Sequence, residues 1–268
     1  MSGQMTDTRK AHAEVTVSQH DRLDMAVAMR LASSAFEIRE KAKMARIEIA
    51  VKGLFATPVA AVEMPGATTL NAELEHIILR RRQETPSVQA SNAGGWHSDR
   101  DILTWGGKPM AAVIDVAKGV ATQMTADRSG RPVRPVWTVQ AWANVNAAGN
   151  GNICHYHPGA YWSGVYYVAD GGCAADPSLG GEFEMLDPRG PGPGMYAPAL
   201  KFAGEDGASV GSAETIRPRP GLLILFPSWL FHQVRPYRGT GLRISIAFNF
   251  GVGNSGVGNS GDAGAVEA

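Results

Sequence analysis

The sequence predicts a mainly β protein, a sandwich or barrel of short strands with helices on its N-terminal side. Three observations support this fold class. The 268 residues include 32 glycines and 16 prolines, which indicates many turns. Strand-length runs follow one another beyond Pro132, whereas the predicted helices lie within the first 82 residues. A hydrophobic content of 44% supplies a core and excludes a wholly disordered chain.

The predicted helices come first in the chain. Apolar residues recur at helical spacing from Leu23 to Ile38, which predicts an amphipathic helix over residues 21–45. A second helix is predicted over residues 72–82, and its three closing arginines suit a helix C-terminus. We therefore divide the chain into an N-terminal extension, residues 1–46, and a β domain, residues 47–250.

The β domain contains five clear strand patterns. These runs alternate in polarity, or are continuously apolar, and are rich in β-branched and aromatic residues. They cover residues 136–146, 163–168, 181–186, 222–226 and 242–250. Residues 190–212, rich in glycine, proline and alanine, form a long connection that we interpret as a lid. The tail, residues 251–268, repeats GVGNS twice and is predicted to be disordered.

Composition excludes several functional classes. Twenty-five basic residues balance twenty-five acidic ones, whereas nucleic-acid and anionic-membrane binders depend on excess positive charge. Two cysteines, Cys154 and Cys173, are too few for a disulfide framework or a cysteine-based zinc site. The N-terminus lacks the pattern of a signal peptide, and no window resembles a membrane span. We expect a soluble, cytoplasmic protein.

The chemistry-bearing pattern begins with two histidines. His155 and His157 occupy alternate positions of one extended segment, so their side chains project from one face and can converge on an ion. Two histidines that only hydrogen-bond to neighbours would give the same pattern. Of the other histidines, His12, His20 and His76 are interpreted as surface residues. His97, in a loop, is left undecided.

A third histidine strengthens the metal interpretation. His232 follows an apolar strand that ends at Phe226-Pro227, so it is expected at the start of the next strand. A barrel can bring that strand beside the segment carrying His155 and His157. Three neutral imidazoles suit iron, zinc, copper or nickel, and imidazole alone does not select among these metals.

An arginine suggests an anion beside this cluster. Arg243 lies in an alternating strand, where it shares a face with Ser245. A guanidinium that faces a barrel interior needs an anionic partner, and no carboxylate lies nearby in the strand. Facing inward, the pair would line an anion pocket; facing outward, Arg243 would be an ordinary exterior residue.

Four runs of the sequence carry a family pattern: LFATPV (54–59), HYHPGAYWSGVYYV (155–168), FEMLDPR (183–189) and GLLILFPSWLFHQVRP (221–236). Together they resemble the putative 2OG-Fe(II) oxygenase family, within the cupin-like superfamily of Fe(II)/2-oxoglutarate oxygenases. The resemblance covers roughly residues 54–250. It implies a double-stranded β-helix, or jelly roll, and an enzyme that takes Fe(II) as cofactor with 2-oxoglutarate and O2 as cosubstrates.

The resemblance also implies roles for particular residues. His155 and His232 would be iron ligands, and Arg243 would bind the C5 carboxylate of 2-oxoglutarate. Tyr167 is similar in position to a tyrosine that shares this carboxylate in prolyl hydroxylases, and Ser163 lies on the same strand face. The reaction would hydroxylate a C–H of an amino acid, peptide side chain or small metabolite, with succinate and CO2 as co-products.

Position 157 departs from the superfamily's motif, which places aspartate or glutamate there. Either His157 is the third ligand, or it contacts the ligands without binding the metal and water takes the third position. Two other functions stay open: a three-histidine cupin metalloenzyme that does not use 2-oxoglutarate, and a non-catalytic jelly-roll binding protein. A homodimer is possible. Around the predicted site lie seven residues expected to pack there or contact substrate: Trp142, Asn144, Asn146, Tyr161, Trp162, Trp229 and Phe231.

Overall fold

The computed structural model describes residues 55–190, 197, 199 and 213–253. The helix predicted over 21–45, most of the connection at 190–212 and the tail beyond residue 253 lie outside these residues. Within the described chain, no helix combines the length and the apolar character that crossing a membrane requires.

The described residues form three α-helices and eleven strands. The helices are α1 (Ala67–Glu84), α2 (Ile102–Trp105) and α3 (Gly107–Gln123). The strands are β1 (Ala60–Glu63), β2 (Asn92–Ala93), β3 (Trp96–His97), β4 (Trp137–Asn146), β5 (Gly151–His155), β6 (Trp162–Asp170), β7 (Phe183–Leu186), β8 (Ala213–Ile216), β9 (Leu222–Pro227), β10 (His232–Val234) and β11 (Arg243–Val252). A short 3-10 helix covers Pro177–Leu179.

The strands assemble into two antiparallel sheets. The larger has the order β1-β9-β6-β11-β4-β3, and the smaller has the order β2-β5-β10-β7-β8. Strands distant in sequence become neighbours, since β11 lies between β4 and β6 with ten and eight paired residues. This two-sheet arrangement confirms the predicted jelly roll with helices ahead of its main strands.

The outer face of the larger sheet packs against the helices. Ile244, Ile246, Phe248 and Phe250 of β11 alternate along this face and are fully buried, in one cluster with the apolar sides of α1 and α3. Hydrogen bonds anchor the contact, because the hydroxyl of Tyr166 donates to Asn71 Oδ1 at 2.6 Å. This face carries most of the core.

The inner face of the larger sheet is different. A smaller apolar cluster between the sheets joins Tyr167, Phe226 and their neighbours to Phe183 and Met185 of β7. Beside that cluster the inner residues of β4 and β11 are largely polar, and they face a pocket shared by both sheets. The strand alternation read from the sequence therefore separates a packing face from a pocket face.

Two features of the fold differ from the sequence predictions. Residues 102–123, for which no element was predicted, form α2 and α3; Met110, Val113, Ile114 and Ala117 supply the helical spacing that would have revealed α3. The tail was predicted to begin at residue 251. Gly251 and Val252 belong to β11 instead, because both pair with the first residues of β4.

Candidate functional site

Two of the predicted metal-binding histidines face each other across a strand pair. His155 is the last residue of β5, and His232 is the first residue of β10. The strands pair antiparallel with His232 directly opposite His155, and the two ring centroids lie 4.4 Å apart. The break at Phe226-Pro227 ends β9 and the short loop after it leads into β10, as the sequence indicated.

His157 lies beyond the end of β5, in the turn that leads to β6. Its backbone N–H donates to Ser228 O at 2.9 Å, which ties this turn to the loop before His232. The His157 ring centroid lies 5.0 Å from that of His155 and 5.1 Å from that of His232. One ring nitrogen of each histidine lies within 4.8 Å of the others, close enough for the three to share an ion.

The surroundings keep these imidazoles neutral. Burial lowers the pKa of all three, to about 4 for His157 and to about 3 for His232, with the neighbouring His155 lowering both further. Nδ1 of His155 lies 2.7 Å from Ile153 O, and Nδ1 of His232 lies 2.7 Å from Leu230 O. With Nδ1–H donating to those carbonyls, Nε2 of each ring keeps a free lone pair, which is the form that binds a metal.

Arg243 faces the pocket. It is only 1% exposed, its Nε donates to Gly181 O at 3.2 Å, and its guanidinium carbon lies 5.2 Å from the Tyr167 ring centroid. The salt bridges of the described residues include none with Arg243. A buried guanidinium without a carboxylate partner is costly unless an anion binds there.

Tyr167 adds a second polar group at that end of the pocket. The side chain is fully buried, and its hydroxyl has no hydrogen-bond partner of normal geometry among the described residues. Burial raises the pKa of Tyr167, against the opposing effect of the Arg243 charge, so the hydroxyl stays protonated and can donate. The pair is suited to hold a small carboxylate.

One pocket contains both groups. It is lined by all three histidines together with Arg243, Tyr167, Ser245 and residues of both sheets. None of the described residues that line it is an aspartate or glutamate. The sequence left open whether Arg243 and Ser245 face inward; both do. The site therefore has uncharged metal-type ligands at one end and a cationic end opposite.

Of the other residues predicted near the site, some line the pocket and some do not. Asn144 lines the pocket with an unpartnered buried Oδ1, and Trp142 contacts His157 with ring centroids 5.8 Å apart. Asn146 is buried near Gly95, its Nδ2 likewise unpartnered in the described structure. Ser163 is not among the described pocket-lining residues; its hydroxyl donates to Asn249 Oδ1 at 2.7 Å.

The five aromatic residues that were expected around the site do not all line the pocket. Trp162 turns away from the pocket into the outer core, where its Nε1–H donates to Thr125 Oγ1 at 2.9 Å. Tyr161, Trp229 and Phe231 are about half exposed. Only Trp142 of the five aromatic residues lines the pocket. Trp162 is a core residue, whereas the role of the three half-exposed residues stays a prediction.

Sequence reasoning left two neighbours of the site unassigned. His97 is buried and stacks on Trp142, with ring centroids 5.6 Å apart and an interplanar angle of 16°. The guanidinium carbon of Arg100 lies 5.9 Å from the Trp142 ring centroid. Pairing of His97 with Asn144, between β3 and β4, brings this loop to the site, and strand patterns this short are not readable from sequence.

The jelly-roll fold and the three-histidine site agree with what a comparison with protein families finds. Residues 140–249 match the model of a family described as Putative 2OG-Fe(II) oxygenase. That stretch holds the three histidines, Tyr167 and Arg243, and the match indicates an Fe(II)- and 2-oxoglutarate-dependent oxygenase. The resemblance noted from the sequence is confirmed, over a shorter range than 54–250. No curated protein matches the sequence.

Solved structures support the fold. A prolyl hydroxylase from Trichoplax adhaerens, in complex with a hypoxia inducible factor peptide fragment, is 16% identical with a TM-score of 0.53. The similarity covers 74% of this chain and 86% of that one. A prolyl-4-hydroxylase from Pseudomonas putida is 15% identical with a TM-score of 0.52, covering 75% of this chain and 96% of that one. At these identities the likeness concerns the fold.

The residues present fit the family's cofactors. Three converging imidazole nitrogens are donors that Fe(II) accepts, and the buried, unpaired Arg243 beside the Tyr167 hydroxyl offers a place for a carboxylate of 2-oxoglutarate. Both groups line the same pocket, so the histidines would hold the iron and Arg243 with Tyr167 would hold a carboxylate of the cosubstrate.

Proposed function

We propose that this oxygenase hydroxylates an aliphatic C–H of an amino acid, a peptide side chain or a small metabolite, with succinate and CO2 as co-products. His155, His157 and His232 would hold Fe(II), and Arg243 and Tyr167 would hold the C5 carboxylate of 2-oxoglutarate. The observation that carries this proposal is the pocket that joins three neutral imidazoles to a buried arginine lacking a carboxylate partner in the described chain.

The three histidines would act through position and protonation state. Burial keeps them neutral, and the carbonyls of Ile153 and Leu230 orient two of the rings, so that little reorganisation accompanies metal binding. Bound Fe(II), with 2-oxoglutarate and O2, supplies the oxidative decarboxylation and the removal of a C–H hydrogen.

Arg243 would fix the other end of the cosubstrate. Its planar guanidinium can donate two parallel hydrogen bonds to a carboxylate, while the Tyr167 hydroxyl donates a third. The two side chains lie on neighbouring strands, so their relative position is set by the β6–β11 register. A site that holds both ends of 2-oxoglutarate leaves its keto-acid end directed at the histidines.

An anaerobic titration tests this function. Wild-type protein loaded with Fe(II) should take up one iron and develop the metal-to-ligand charge-transfer absorption when 2-oxoglutarate is added. His232→Ala should lose iron, and Arg243→Met should keep iron but need far more 2-oxoglutarate. Arg128→Gln, at an exposed turn, is the matched control. Iron uptake without a 2-oxoglutarate response in the wild type would favour the three-histidine metalloenzyme that does not use this acid.

The third ligand position needs its own experiment. If His157 coordinates, His157→Ala should weaken iron binding, and His157→Asp should retain iron because it restores a carboxylate ligand. An aspartate would also remove one positive charge from the centre, which should shift the charge-transfer band relative to wild type. Full iron affinity in His157→Ala would show that His157 does not bind the iron.

The class of substrate is the broadest part of the proposal. The Trichoplax adhaerens prolyl hydroxylase, which shares this fold, is in complex with a peptide fragment, so a residue within a peptide is one candidate substrate. A free amino acid and a small metabolite are the others, because the fold does not select among these classes. The cytoplasmic location and the homodimer stay predictions.

A further inference from the structure

A cation that the oxygenase chemistry does not use lies beside one of the residues that line the pocket. Arg100 is exposed in the loop between β3 and α2, and its guanidinium carbon lies 5.9 Å from the centroid of the Trp142 ring. Trp142 lines the pocket and contacts the ring of His157. Arg100 is therefore one aromatic side chain away from the proposed iron ligands.

The charge of Arg100 is not neutralised by its neighbours. Within the part of the chain that the structure describes, it forms no ion pair, and its Nη1 donates to Gln140 Oε1 at a long distance of 3.4 Å. The flanking acids have other partners: Asp99 Oδ2 accepts from Arg81 at 3.2 Å, and Asp101 Oδ1 accepts from Trp105 Nε1 at 2.8 Å. The guanidinium is free to bind a ligand.

Polar groups continue from Arg100 along the inner face of the sheet. Gln140 pairs with Asn249 between β4 and β11, two residues along each strand from Trp142 and Ala247. Oδ1 of Asn249 accepts from the Ser163 hydroxyl at 2.7 Å. Along β4, Arg243 pairs with Asn146 on one side of Trp142, and Arg100 contacts Gln140 on the other side.

We propose that Arg100 binds a carboxylate of the primary substrate, with Trp142 packing against the carbon chain between that carboxylate and the reacting C–H. This inference rests on the proposed function and deepens it by naming the substrate class, an acid. The described pocket lining has no carboxylate that would repel such a substrate.

The binding of small probes can test this without knowing the substrate. The protein is loaded with Mn(II) and saturating 2-oxoglutarate, and propionate or propionamide is added while its proton relaxation is followed by NMR. Mn(II) shortens the relaxation of whatever binds near it. The two probes match in size and differ in charge. Unchanged relaxation of the 2-oxoglutarate protons shows that propionate has not displaced it.

We expect propionate to bind about three- to tenfold more tightly than propionamide, a modest factor because Arg100 is exposed. The preference should disappear in Arg100→Gln, persist in part in Arg100→Lys and be unchanged in Arg128→Gln. It should also shrink as salt is added. Equal unfolding midpoints of the three variants would show that the fold is intact.

Two outcomes overturn the inference separately from the proposed function. Equal affinity for the two probes in the wild type, or a preference that survives in Arg100→Gln, would refute the role of Arg100 while 2-oxoglutarate still binds beside Mn(II). If Mn(II) does not shorten the relaxation of the 2-oxoglutarate protons in the wild type, the proposed function is refuted, and the role of Arg100 with it.

Discussion

The two faces of β11 carry opposite kinds of residue. On the outer face Ile244, Ile246, Phe248 and Phe250 are buried against the helices, and none of them has a polar side-chain atom. On the inner face Arg243 and Ser245 are buried just as deeply but line the pocket. Burial alone therefore does not distinguish a core residue from a functional one.

What separates the faces is whether burial is matched by partners. Outer residues contact other apolar side chains, so burial stabilises the fold. On the inner face, the Tyr167 hydroxyl has no hydrogen-bond partner of normal geometry in the described chain, and the Arg243 charge has no ion pair there, so burial costs stability until a ligand binds. Substitutions on the outer face should consequently lower the free energy of unfolding, whereas substitutions on the inner face should weaken the binding of 2-oxoglutarate.

The largest effect on stability is expected at Phe248. Replacing this fully buried ring by alanine in Phe248→Ala should lower the free energy of unfolding by about 3–5 kcal/mol, because the lost contacts leave a cavity. Urea denaturation measures this. The affinity of the remaining folded protein for 2-oxoglutarate should be nearly unchanged. If the variant instead loses much of this affinity and keeps its full stability, the outer face is not a pure packing face.

Arg243→Met should have the converse effect. Loss of charged hydrogen bonds worth about 1.5–3 kcal/mol would weaken 2-oxoglutarate binding about ten- to 150-fold. The stability of the unliganded protein should be equal or higher, since an apolar side chain replaces a buried charge without an ion pair in the described chain. Calorimetric titration and urea denaturation check the two halves, with Arg243→Lys separating charge from guanidinium shape.

A glycine on β6 tests the tightness of the outer face. A Cβ at Gly164 would lie 2.3 Å from Phe248 Cε2 and 2.7 Å from Ile224 O, so Gly164→Ala should destabilise by about 1–3 kcal/mol through overpacking. Combining it with Phe248→Leu should recover part of the loss. If the double variant shows simple additivity in thermal unfolding, the close approach is not the cause.

The smallest effect is expected for Tyr167→Phe. The missing hydroxyl has no protein partner of normal geometry in the described structure, so stability should be unchanged or slightly higher. Binding of 2-oxoglutarate should weaken by about 0.5–1.5 kcal/mol, the range of one hydrogen bond. Ser163→Ala, whose hydroxyl donates to Asn249, serves as the comparison, and equal losses of affinity would contradict the assignment of Tyr167.

Strand-length alternation was sufficient to predict the main strands, because side chains of period two are visible in a single sequence. The runs around β4, β6, β9 and β11 agree with the structure within about two residues at their ends. The short strands β2 and β3 were not predictable in this way. Two residues cannot display a period, and these strands exist only because β5 and β4 accept their hydrogen bonds.

The candidate site divides in the same way. His155, His157 and His232 were predicted from residue type and spacing, and their convergence follows from the β5–β10 pairing that sets His232 opposite His155. The place of Arg100 beside Trp142 had no signal in the sequence, because its loop reaches the site through a parallel bridge between Asp101 and Ala141.

The sequence alone determined which residues share a face of each strand, which side chains can bind a metal and which family the chain resembles. The tertiary structure decided which face of β11 is the inner one, and therefore that Arg243 and Ser245 line the pocket. The physical reason is that alternation is a local property of the backbone. The direction of a face depends on which distant strands pair beside it, and in what register.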